Sequence, residues 1–239
     1  MDMTNGPLLG KLVRFAIPLG LSGILQLLFN AADIVVVGRF AGSGALAAVG
    51  STGALINLIV NLFIGLSVGT NVLAAQYYGA GNRKDLQETV HTSVLTSLIF
   101  GVVLLVIGIS LADPLLALMG TPEEVLPQAS LYMRIFFLGM PASMLYNFGA
   151  AILRAVGDTK RPLYFLLLSG VVNVVLNLFF VIVLHMDVAG VATATVISQA
   201  ISAGLVVWCL VKVKGDYNLD LKKLRIYKDK LLGMTKIGL

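Results

Sequence analysis

The chain alternates long apolar runs with short polar segments, and this pattern predicts a bundle of membrane-spanning helices. A helix needs about 20 mostly apolar residues to cross the hydrocarbon core of a bilayer. Six stretches are long and apolar enough, namely 12–38, 46–78, 90–111, 125–153, 162–184 and 188–211. A short glycine-containing turn at 41–45 is expected to separate the first two. The sequence therefore predicts an all-α integral membrane protein with six transmembrane helices.

The charged residues divide the connecting segments into two sets. Basic residues gather before the first span, after the second, after the fourth and after the sixth. The third connection, 113–124, holds three acids and no base. Basic connections stay on the cytoplasmic side of a membrane. This distribution predicts a multi-pass protein of the cell membrane with both ends of the segment in the cytoplasm, which agrees with an even number of spans.

Composition excludes several other classes of protein. Hydrophobic residues make up 58% and charged residues 12%, against roughly 25% charged in a soluble domain. The net charge of +5 lies between and after the apolar runs, so it indicates a membrane surface rather than nucleic acid. Cys209 is the only cysteine, which excludes an internal disulfide framework. We find no nucleophile motif, phosphate loop or metal-ligand spacing, so we expect neither an enzyme nor a cofactor.

One carboxylate lies inside the first predicted span. An aspartate near the centre of a membrane helix costs about 2.5–3.5 kcal/mol on insertion scales and marks a functional site by default. Gln26, Asn30 and Asp33 follow i, i+4, i+7 spacing, so they share one helix face. Asp33 must therefore face the interior of the bundle or a watery cavity.

Two further spans carry oxygen-bearing side chains at a similar depth. Asn177 lies about one-third of the way in from the outer end of the fifth span, and Thr195 enters the sixth span to a similar extent. Together with Asp33, these groups are suitable ligands for Na⁺, and the same carboxylate can instead carry a proton. The alternative is that the amides and hydroxyls only join helices, each contributing about 0.6 kcal/mol.

Two prolines lie inside predicted spans. Pro18 is in the first span and Pro141 is in the fourth. A proline within a helix removes a backbone hydrogen bond and tends to kink the helix. Both positions are therefore candidate hinges beside the cavity, or features of helix packing alone.

Several stretches resemble the multidrug and toxic compound extrusion (MATE) family. The similarity extends in order over nearly the whole chain. It is carried by 17–19 (IPL), 30–39 (NAADIVVVGR), 75–81 (AQYYGAG), 153–160 (LRAVGDTK) and 190–195 (GVATAT).

The resemblance implies a twelve-helix transporter of two six-helix lobes that exports amphipathic, often cationic drugs in exchange for H⁺ or Na⁺. It places the coupling cation, with a possible Na⁺ site, at Asp33, Asn173, Asn177 and Thr195, with Asn147 as a weaker candidate. Many members carry aspartate at the position of Asn177, so this chain departs from the family pattern there.

The length of the chain fits one lobe, the N-terminal one. Residues 1–212 would form the six-helix lobe, and residues 213–239 a basic cytoplasmic linker that approaches a missing seventh helix. A lone lobe would be completed by a separate C-terminal lobe or by a second copy, and we expect the sequence to be a fragment. A lipid-linked oligosaccharide flippase and a non-transporting membrane scaffold are the alternatives. Few basic residues within the spans argue against the first, and Asp33 argues against the second.

Overall fold

The computed structural model describes residues 8–238, which form helices joined by short connections. The α-helices are α1 (Leu8–Val36), α2 (Gly42–Gly79), α3 (Arg83–Leu118), α4 (Leu126–Leu138), α5 (Met140–Ala155), α6 (Lys160–Leu178), α7 (Asp187–Lys212) and α8 (Lys228–Gly238). Two π-helical turns, Val37–Ala41 and Phe179–Val183, extend α1 and α6, and a 3₁₀ turn covers Leu221–Lys223. The predicted all-α fold is confirmed.

The helices α1 to α7 account for the six predicted spans. Within residues 8–238, four continuous helical stretches are long and apolar enough to cross a membrane, and the bent pair α4–α5 adds a fifth. The first stretch has 71 residues, or about 106 Å at 1.5 Å per residue, which is over three times the hydrocarbon thickness of about 30 Å. This stretch contains the break between α1 and α2, so it supplies two spans. Together with the other three stretches and the bent pair, this makes six spans.

Gly42 makes that interruption. Its φ of 87° lies in a region that glycine adopts at little cost and other residues avoid. Helix α2 resumes directly at this residue, so the chain has a π-helical turn over Val37–Ala41 in place of the predicted turn over 41–45.

The fourth span is bent, as its proline predicts. Helices α4 and α5 meet at Gly139 with an angle of 47°, and Pro141 lies in the first turn of α5. The backbone of Pro141 comes so close to Gly101 of α3 that a side chain at Gly101 would collide with it. Pro18, by contrast, lies within a continuous α1, and its role as a hinge stays a prediction.

The acidic connection is shorter than predicted, because α3 continues to Leu118 and includes Asp113. The carboxylate of Asp113 pairs with Arg134 of α4 at 2.6 Å. Both side chains are about half exposed, so the pair joins α3 to α4 at the surface of the bundle rather than in its interior.

Most helices pack around α5, and α1 stands apart from this arrangement. The most extensive helix contact joins α3 to α5, which also packs on α7 and α2, whereas α1 packs chiefly on α6. Many large apolar side chains of α1 are exposed, among them Leu27, Leu28 and Val35. Helix α1 is therefore held on one side by protein, and the apolar side chains on its other side are exposed.

Helix α8 folds back onto α2 and α3. Gly65 and Gly69 lie against the backbone of α8 so closely that a Cβ atom on either would meet it. Small residues spaced in this way on one helix allow the backbone of a second helix to approach closely. The ammonium of Lys230 lies 2.8 Å from Asp85 of α3 and 2.7 Å from Asp229. Burial disfavours its charge, but hydrogen bonds to Asp229, Asp85 and Tyr77 hold the pKa of Lys230 above its usual value.

Candidate functional site

Four predicted site residues form one hydrogen-bonded chain across three helices. The amide of Asn177 on α6 donates to the carboxylate of Asp33 on α1 and to Oδ1 of Asn173 at 3.2 Å. The amide of Asn173 in turn donates to Oγ of Thr195 on α7 at 3.4 Å. Because Asn173 and Asn177 are one helical turn apart, α6 presents both to the space between α1 and α7.

The middle of this chain is fully enclosed. Asn177 has no solvent-accessible surface and Asn173 is 5% exposed. Both N–H groups of the Asn177 amide face acceptors, which leaves its Oδ1 buried without a hydrogen-bond donor among residues 8–238. A buried acceptor without a partner costs about 1–3 kcal/mol.

The donor set suits a hard, singly charged ion. Asp33 supplies the one carboxylate, Asn177 turns an amide N–H toward it, and the amide of Asn173 and the hydroxyl of Thr195 continue the hydrogen-bonded chain. Within residues 8–238, no three His, Cys, Asp or Glu side chains gather as a metal-binding group. Neutral oxygen ligands with a single negative charge fit Na⁺, or a proton on Asp33, better than they fit a transition metal, which prefers nitrogen and sulfur.

A cavity of about 290 Å³ opens beside this chain of polar groups. Its walls come from α1, α2, α4, α5, α6 and α7, so it lies at the centre of the bundle. The predicted site residues that line it are Asp33, Asn173, Thr195, Asn147, Gln26 and Asn30. Asn177 lies behind this wall, and neither Pro18 nor Pro141 is among the lining residues.

Asn147 is in the cavity but outside the hydrogen-bonded chain. Its amide donates to the backbone carbonyl of Ser143 at 2.8 Å, within α5 itself. The structure therefore places Asn147 where it can meet a bound molecule, whereas the hydrogen-bonded chain centred on Asp33 contains only the other four residues.

Gln199 is one polar residue of the cavity wall that was not predicted. The carbonyl oxygen of Gln199 is buried without a donor among residues 8–238, and Gln199 lines the cavity. Its spacing of i+4 from Thr195 on α7 was the signal that would have identified it.

A second, smaller cavity continues from the first toward the other end of α5. It measures about 170 Å³ and shares Gln26, Tyr146 and Asn147 with the larger cavity. Arg154 lines it, and Nε of Arg154 donates to the carbonyl of Ala150 at 3.2 Å. Arg154 therefore faces the smaller cavity inside the bundle. From the sequence, it was expected only in the basic connection to α6.

The chain combines six spans with a polar cavity at their centre and a carboxylate beside that cavity. These are the features of a multi-pass membrane transporter. An ionisable group at membrane depth is normally found on a substrate or ion pathway, and here it lies next to a cavity between helices.

The chain belongs to the MatE family, because the MatE family model matches residues 18–179. Among curated proteins it is 35% identical over 232 residues to the "Probable multidrug resistance protein YoeA" of Bacillus subtilis, covering 94% of this chain and 50% of that protein.

Solved structures agree with this assignment. A MATE crystal structure in the bent conformation superposes with a TM-score of 0.89 at 29% identity, covering 95% of this chain and 51% of the other. An outward-facing multidrug resistance MATE transporter of the MOP superfamily superposes with a TM-score of 0.88 at 29% identity, covering 95% of this chain and 51% of the other. The chain thus spans about half the length of the relatives it matches.

Proposed function

We propose that this chain is one lobe of a membrane exporter that couples drug efflux to the entry of H⁺ or Na⁺. The observation that carries the proposal is the hydrogen-bonded chain from Asp33 through Asn177 and Asn173 to Thr195. It holds a carboxylate next to two amides and a hydroxyl beside a central cavity. A purely structural bundle has no need of such a costly group.

The coupling step would be the neutralisation of Asp33. With its charge exposed to the outer side, Asp33 binds H⁺ or Na⁺, and the cost of enclosing that charge disappears. Helix α1 can then repack, bending near Pro18, because it is held chiefly by α6. The cation drives this change only to the extent that it binds one state more tightly than the other. Substrate affinity falls in the repacked state.

The cavity favours amphipathic, cationic substrates. The aromatic side chains Phe29, Phe136 and Tyr146 share its wall with the carboxylate of Asp33. Aromatic faces attract cations, and a single carboxylate adds charge selectivity without fixing a particular shape. The name of the YoeA relative, which refers to multidrug resistance, supports the same substrate class.

A flippase for lipid-linked oligosaccharides is the second candidate, and Arg154 is the observation in its favour. A pyrophosphate group requires several Arg or Lys side chains. Among residues 8–238, no Arg or Lys lines the 290 Å³ cavity, and Arg154 is the one basic residue that lines the smaller cavity. The exporter therefore fits the charges of the pathway better.

We also propose the setting in which this lobe works. It would lie in the cell membrane with both ends of the segment in the cytoplasm, and a C-terminal lobe or a second copy would close the open side of its cavity. The exposed apolar surface of α1 supports this arrangement, since lipid or a partner lobe must cover it.

The test is efflux of a fluorescent cation by the two-lobe transporter in proteoliposomes, under an imposed proton or sodium gradient. We expect one of the two gradients to drive efflux, and Asp33→Asn to abolish it while the protein remains folded. Asp113→Asn is the matched control, because that carboxylate lies in a half-exposed ion pair away from the cavity. Gradient-driven efflux that survives Asp33→Asn would overturn the proposal.

A further inference from the structure

A cavity of about 550 Å³ lies where α6 begins and α7 ends, away from the polar pathway. None of the residues that line it also lines the central cavity. Its rim is basic and carries Arg161, Lys212 and Lys214. It lies on the face of the bundle that the charge distribution predicts to be cytoplasmic.

The positive charge of this rim is only partly compensated. Nε of Arg161 lies 3.2 Å from Asp158, and another of its nitrogens donates to the sulfur of Cys209 at 3.4 Å. Within residues 8–238, neither Lys212 nor Lys214 has a carboxylate oxygen within the 4.0 Å limit of an ion pair. In the part of the chain that the structure describes, no acidic side chain lines the cavity. The rim therefore offers two ammonium groups and one guanidinium against a single carboxylate.

Aromatic side chains lie one helical turn deeper than these cations. Phe165 follows Arg161 by four residues on α6, and Trp208 precedes Lys212 by four residues on α7. At 1.5 Å per residue, each ring is about 6 Å further into the membrane than its basic neighbour. Trp208 is 61% exposed, which is the position that tryptophan favours at a membrane interface. The cavity thus passes from a charged rim to an aromatic wall that faces lipid.

We propose that this cavity binds the phosphate headgroup of an anionic phospholipid, with the acyl chains lying against Trp208 and Phe165. Basic pockets between transmembrane helices at the cytoplasmic side recognise anionic headgroups. A soluble anion would use the rim alone, whereas a lipid uses both the rim and the apolar wall one turn below it. The ordered change from charge to aromatic surface favours the lipid.

Trp208 provides the probe, because it lines the cavity and is the only tryptophan in this lobe; any tryptophan of a second lobe is replaced with phenylalanine. The protein is reconstituted in phosphatidylcholine bilayers, and brominated phosphatidylglycerol or brominated phosphatidylcholine is titrated in as a quencher of its fluorescence. Each basic residue near a membrane surface changes anionic-lipid affinity by about fivefold. We expect phosphatidylglycerol to be preferred at least about fivefold.

Two charge-matched variants separate this site from a general surface charge. Lys212→Gln/Lys214→Gln is expected to reduce the preference below about twofold while leaving quenching by phosphatidylcholine unchanged. Lys222→Gln/Lys223→Gln removes the same charge from the exposed tail and should keep the full preference. Equal quenching by both lipids overturns the proposal, as does a preference that both double variants lower equally. Loss of the preference with millimolar glycerol phosphate would identify a soluble anion as the ligand and overturn the lipid assignment.

Discussion

Replacing Asn177 with alanine tests whether the polar chain holds the interior of the bundle together. Asn177 is the link between α1 and the rest of the site, because its amide donates both to Asp33 and to Asn173. Asn57 is the matched control. It lines the same cavity but is exposed and has no hydrogen-bond partner among residues 8–238.

The magnitude follows from the two hydrogen bonds that are lost. A bond to a charged group contributes about 1.5–3 kcal/mol and a neutral one about 1 kcal/mol. Asn177→Ala should therefore lower the free energy of unfolding by about 2–4 kcal/mol, since Asp33 is then enclosed without its donor. Asn57→Ala should change it by no more than about 0.5 kcal/mol. The same substitution in two α-helices cancels the difference in helix propensity.

Thermal unfolding of the purified protein in detergent measures the difference. For a chain of this length, we expect Asn177→Ala to lower Tm by about 5–12 °C and Asn57→Ala to leave it nearly unchanged. A double-mutant cycle with Asp33→Asn should show a coupling energy of at least about 1 kcal/mol. Equal Tm values for the two alanine variants, or the absence of coupling to Asp33, would refute the reasoning.

Three further substitutions test the packing of the helices. Gly69→Ala should lower the free energy of unfolding by about 1–3 kcal/mol, because the added Cβ meets the backbone of α8. Gly53→Ala on the same helix has open space and should raise the free energy of unfolding by up to about 1 kcal/mol. Equal Tm shifts for the two variants would contradict the docking of α8. Lys230→Met should lower the free energy of unfolding by about 2–4 kcal/mol and make α8 sensitive to proteolysis. Lys228→Met, at an exposed position, should change neither stability nor proteolysis. Arg134→Gln removes an exposed ion pair and should lower Tm by less than about 3 °C; a larger loss would show that this pair holds α3 to α4.

The sequence identifies Asp33 as a site residue but does not identify the side chains that it contacts. Asp33 was identifiable because a carboxylate inside an apolar run is costly wherever the helix lies. The residues that contact Asp33 could not be identified in this way, because Asn177 and Asp33 are 144 positions apart in the chain. That contact depends on how far α6 is rotated relative to α1, which neither helix specifies alone.

The amino-acid sequence by itself determined the helical class, the six spans, the bend at Pro141 and the presence of one costly carboxylate. These follow from hydropathy, proline chemistry and helical spacing, which are local properties of the chain. The tertiary structure decided which polar groups meet Asp33, that Gln199 and Arg154 face the pathway, and that α8 lies against Gly65 and Gly69. Those features depend on the rotation and register of helices that pack against one another, and both are set by contacts between residues far apart in the chain.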